Sequence, residues 1–68
     1  KTIITEYSEL EVGKVYKFSG ERYISLESLK LISKGAVEAE FRAVERGFGQ
    51  ALRASWLDNG ELTCELVD

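Results

Sequence analysis

A chain of 68 residues with formal net charge −3, from 9 basic and 12 acidic side chains, has room for one small hydrophobic core and no second domain. Leu, Ile, Val and Phe supply 20 of those residues, enough for that core and too many for an intrinsically disordered chain. Histidine is absent and Cys64 is the only cysteine, which excludes histidine-based triads, Cys–His dyads, Cys/His zinc sites and an internal disulfide.

The residues 1–68 therefore read as a single small globular domain. No apolar run approaches the roughly 18 residues that span a bilayer, so no membrane partner is expected. A lone cysteine fits a reducing, cytoplasmic setting. The charge is uneven, with residues 1–34 at +1 and residues 35–68 at −4. A sequence-independent grip on phosphate backbones needs clustered cations, which this balance does not supply.

From the N-terminus, Leu10, Val12, Tyr16 and Phe18 share one face of an extended segment that Ser19-Gly20-Glu21 breaks. Residues 23–34 support two readings. Ile24 and Leu26, then Leu29 and Leu31, fit short strands that end at a Lys34-Gly35 turn. Alternatively Ser25 caps a helix over about 25–34, with Leu26, Leu29 and Ile32 as its stripe and Gly35 as its stop.

The second half has a period of two. Val37, Ala39, Phe41 and Ala43 face one way, while Glu38, Glu40 and Arg42 face the other. Asp58-Asn59-Gly60 is a turn signal, best read with Gly60 in the left-handed region. That loop pairs Trp56 with Leu62, Ala54 with Cys64 and Leu52 with Leu66, and on the other face Arg53 with Glu65. The preceding hairpin turns within 46–50. Setting Ala43 against Leu52 there would oppose Arg42 and Arg53, so its register stays open to a slip. The expected result is a C-terminal three-stranded antiparallel meander over about 36–45, 49–57 and 61–67.

Strands throughout predict an all-β fold, a small five-stranded antiparallel barrel of the SH3-like kind. The helical reading predicts instead an α+β domain with the helix at about 25–34 packed on the sheet.

Candidate chemistry is sparse. Arg46-Gly47-Phe48-Gly49 resembles the opening of the ribonucleoprotein motif of RNA-recognition domains, and departs from it at Gln50 and Arg53, where that motif carries aromatics. Two glycines also supply the backbone freedom a turn requires. Phe48 either folds back over the end of the core or stands exposed beside Arg46 as an anchor. Tyr16 belongs with Phe18 in the core, whereas Tyr23 follows a loop and is the surface candidate. Glu38 and Glu40 lie two apart on a strand face, with nothing nearby to separate their proton affinities. Neither Ser28/Lys30 nor Ser33/Lys34 sits in a nucleophile turn. Cys64, between Leu62 and Leu66, reads as a small buried hydrophobe.

No catalytic residue, cofactor or metal site is expected. The function expected is that of a non-enzymatic interaction module, an adaptor or inhibitor that binds a larger protein partner through Tyr23, Arg46, Phe48 and Arg53. The alternative is a single-stranded nucleic-acid binder using Arg42, Arg46, Arg53, Tyr23 and Phe48 as a stacking face.

Overall fold

Alternation of apolar and polar residues makes the chain mostly strand, and the computed structural model describes residues 2–20 and 27–67. Six antiparallel strands form one sheet: β1 (Thr2–Ile4), β2 (Val15–Gly20), β3 (Leu29–Lys34), β4 (Glu38–Ala43), β5 (Gly49–Arg53) and β6 (Leu62–Val67). Their order across the sheet is β1-β6-β2-β3-β4-β5. A 3-10 turn at Tyr7–Glu9 follows β1, and one short helix, α1 (Ala54–Asp58), joins β5 to β6.

The sheet folds over on itself at β2. That strand pairs with β6 along its whole length, from Val15–Val67 to Gly20–Leu62, but with β3 only at Val15–Lys30 and Tyr16–Leu29. Two three-stranded halves therefore face one another across a thin core. Phe18 of one half meets Phe41 of the other edge to face, with centroids 5.0 Å apart, and Tyr16 meets Phe41 at 6.3 Å. Leu29, Leu31, Ala39, Ala43, Leu52 and Cys64 fill the space between. Large and small side chains alternate, which is how a thin layer packs without voids.

The sheet is not closed. β1 and β5 are its two edges, so the described strands do not form the expected five-stranded barrel; they form an open six-stranded sheet. The 3-10 turn and α1 are instead tied to each other and to the β3–β4 turn. Asp58 Oδ1 accepts from Tyr7 N–H at 2.8 Å, tying α1 to the 3-10 turn, and Leu57 is buried beneath. Tyr7 Oη donates to Gly35 O at 2.7 Å, while Lys34 Nζ donates to Leu10 O at 2.9 Å and lies 5.1 Å from the Tyr7 ring centroid.

The helical reading of 25–34 is corrected over its described part: Leu29–Lys34 is a strand, with Leu29 and Leu31 buried. The register shifts between Leu31 and Ser33, and the extra residue, Ile32, is 39 % exposed. Residues 25 and 26 lie outside the described residues.

The expected meander holds for its first hairpin and fails for its second. β6 pairs with β1 and β2, not β5, so the Trp56–Leu62, Ala54–Cys64, Leu52–Leu66 and Arg53–Glu65 pairs do not form. The cause lies in residues 54–58. As a strand they would place Leu57 on the polar face; as a helix they bury Leu57 to 2 % and leave Trp56 at 37 %. Val12 and Val37, also expected inside, are exposed.

Gly60 does adopt positive φ, +79°, but as the end of a helix. Gly60 N–H donates to Leu57 O at 3.1 Å and Glu61 N–H to Trp56 O at 2.9 Å, the paired bonds of a Schellman motif. A methyl group at position 60 would meet nothing within 4 Å, so backbone strain is the only cost of replacing it. Gly60→Ala is expected to lose about 1 kcal/mol, read from the urea midpoint, with the fold unchanged.

Candidate functional site

Among the described residues, chemistry-bearing side chains do not converge in the sheet. Among the described residues no group of three or more Cys, Asp or Glu side chains could hold a metal ion. Glu38 and Glu40 are exposed on the outer face of β4. An apolar cavity of about 130 Å³ lies between Trp56, Leu52 and the core rings Phe18 and Phe41. That is below the roughly 300 Å³ at which small-molecule sites begin, so it carries no substrate reading.

The β4–β5 turn is the exposed feature with structure behind it. Ala43 pairs with Phe48 through Ala43 N–H and Phe48 O at 2.9 Å, and Gly47 N–H returns to Ala43 O at 2.8 Å. Gly47 has φ +77°, the left-handed position this turn requires. The turn is also fastened to the start of β3. Val44 N–H donates to Ser28 O at 3.0 Å, and Arg46 Nε donates to Glu27 Oε1 at 2.7 Å. Phe48 is 47 % exposed and Val44 is 55 % exposed, so Phe48 does not close the core.

The hairpin register is Ala39–Leu52, Phe41–Gln50 and Glu38–Arg53. It keeps Ala39, Phe41 and Leu52 inward, as the alternation required. It differs from the Ala43–Leu52 pairing by four residues because the chain turns at 44–48 rather than 46–50. Arg53 thereby faces Glu38 instead of Arg42, which removes the like-charge pair.

Of the four expected contact residues, the structure brings Arg46 and Phe48 together in one turn. Arg53 lies at the far end of β5, about 16 Å away at ~3.3 Å per residue. Tyr23 lies outside the described residues. Sequence reasoning missed Val44, whose exposure follows from the turn beginning one residue after Ala43. It also misplaced Trp56, expected in a strand pair with Leu62 and found at the rim of the core beside Leu52, Phe18 and Phe41. No helix among the described residues is long and apolar enough to cross a membrane. The chain matches no family model, no curated protein and no solved structure.

Proposed function

We propose that this chain is a non-enzymatic interaction module, an adaptor or inhibitor that docks on a larger protein through the β4–β5 turn. The observation that carries this reading is the exposure of Phe48, Val44 and Arg46 on one turn that four hydrogen bonds or ion pairs hold in place. Aromatic and arginine side chains dominate binding energy at protein interfaces, and a turn already fixed loses little entropy on docking. Tyr23 and Arg53 extend the proposed surface as lesser contacts, and the proposed setting is the cytoplasm.

A nucleic-acid role receives less support from the same residues. Arg46 already holds Glu27, and Arg53 stands across from Glu38. Interleaved carboxylates weaken attraction to phosphate.

The test places a photo-crosslinking phenylalanine analogue at position 48 and exposes the protein to lysate of its source cell. One protein adduct is expected, suppressed by excess wild-type chain and not by the Arg46→Ala/Phe48→Ala double variant. The double variant should keep the wild-type circular dichroism spectrum and lose less than about 1 kcal/mol. Equal competition by the double variant, or adducts with RNA alone, would overturn the proposal.

A further inference from the structure

The open edge at β5 has a geometry that the turn does not use. Ala43 N–H to Phe48 O and Ala54 N–H to Val37 O fix which β5 residues bond to β4. In the same register Gln50 and Leu52 also turn their backbone groups toward β4. Gly49, Ala51 and Arg53 consequently point their N–H and C=O groups away from the sheet, and all three residues are exposed. Natural proteins blunt such edges with proline, lysine or a bulge. β5 has none of these over Gly49–Arg53.

The outer face beside this edge carries two carboxylates, Glu38 and Glu40, and one cation, Arg42, which stands directly across from Gly49. Gly49 and Ala51 floor an open groove walled by Glu38 and Glu40. A Cβ placed on Gly49 would lie 3.9 Å from Glu40 Oε2, so the carboxylate leans over the glycine. Neither Glu40 nor Arg53 forms an ion pair among the described residues.

We infer that two copies of this chain associate edge to edge through β5, antiparallel, about a twofold axis at Ala51. This register is the one the backbone allows with full pairing. Ala51 then meets Ala51 of the second copy, and Gly49 meets Arg53, so every outward-pointing residue bonds to another. It also sets the arginine of each copy beside the glycine of the other, where Glu40 reaches in from the neighbouring row and offsets Arg42 on the far side of the glycine. The charge contact occurs twice, because the axis repeats it. The six-stranded sheets of the two copies join as a continuous twelve-stranded sheet, with the Val44–Phe48 turns at opposite ends of the paired strands. The inference is independent of what those turns bind.

One strand pair buries little area, so the dimer belongs to the weak, transient class. Sedimentation equilibrium over about 10 μM to 1 mM spans its transition. The wild-type chain is expected to shift from monomer to dimer within that range. Glu40→Arg and Arg53→Glu each place like charges together twice in the dimer, and each should weaken self-association by roughly tenfold or more. Mixed in equal amounts, the two variants restore both contacts as opposite-charge pairs, and a heterodimer of wild-type affinity is expected. Circular dichroism and thermal melting of each variant establish that it is folded. A wild-type chain that stays monomeric at 1 mM overturns the inference. So do single variants that dimerise as tightly as wild type, and so does a mixture that remains monomeric.

Discussion

Phe41→Ala is expected to remove about 3–5 kcal/mol of stability, enough to unfold much of the population at 37 °C. Phe41 is 1 % exposed, and its ring receives the edges or faces of both Tyr16 and Phe18. Those contacts bridge the two halves of the sheet, which β2 joins to β3 by only two residue pairs. Truncation leaves a cavity where backbone pairing is thinnest, and each lost ring pair costs about 0.5–1.5 kcal/mol beyond burial. A domain of 68 residues commonly has a total stability of about 3–10 kcal/mol, so one ring carries a large share. Phe48→Ala deletes the same ring from an exposed turn and should cost less than about 1 kcal/mol. Urea melts of the two variants check both figures. Comparable losses in the two would mean that Phe48 packs into the core after all.

The difference between those two phenylalanines was partly legible in the sequence. Alternation from Val37 to Ala43 placed Phe41 inward, and burying every second residue of β4 is the simplest solution that covers its apolar face. Glycines on both sides of Phe48 marked a turn but did not say which way the ring points. That choice is made by Ser28 and Glu27, which lie far along the chain and anchor the turn through Val44 and Arg46. The Asp58-Asn59-Gly60 signal was likewise ambiguous. A left-handed glycine ends a helix as readily as it closes a bulged hairpin, and residues 54–58 contain no helix breaker. What decides the matter is non-local. β6 finds partners on both sides, β1 and β2, only if the chain leaves β5 and crosses to the other half of the sheet. Period and propensity speak for single segments, and this choice belongs to the whole sheet.

The candidate site followed the same division. Arg46 and Phe48 were visible as a Gly-flanked pair, because turn chemistry is local. The free β5 edge was not, since an edge exists only once the order of strands is known. Reading β5 and β6 as a hairpin would have covered Gly49, Ala51 and Arg53 with a neighbouring strand. Placing β6 elsewhere uncovers them, and it also makes the spacing of small residues at 49 and 51 relevant to what can approach Glu40.

Placing β6 between β1 and β2 also determines the chemistry of Cys64. The residue pairs with Ile4 of β1 on one side and Phe18 of β2 on the other, and its exposure is 0 %. Burial disfavours the thiolate and pushes the thiol pKa from an ordinary 9.0 up to about 12. An unfolded chain therefore gives up this proton near pH 9, while the folded chain keeps it. Between those values the unfolded state binds fewer protons, so stability falls as pH rises, by at most about 1.4 kcal/mol per pH unit. Below pH 9 the group contributes no slope. Burial also raises the pKa of Tyr7 and Tyr16, despite the backbone bonds they make to Gly35 and Glu11, and adds loss in the same direction above pH 10. Urea midpoints of the wild-type chain should be level from pH 7 to about 9 and then decline. Those of Cys64→Ala should start lower, from the lost packing, and decline less steeply between pH 9 and 10. A water-soluble disulfide reagent at pH 8 should label the native thiol far more slowly than the thiol in denaturant. Fast native labelling, or identical pH slopes for the two proteins, would mean that Cys64 is open to solvent and that the β1–β6–β2 arrangement is wrong.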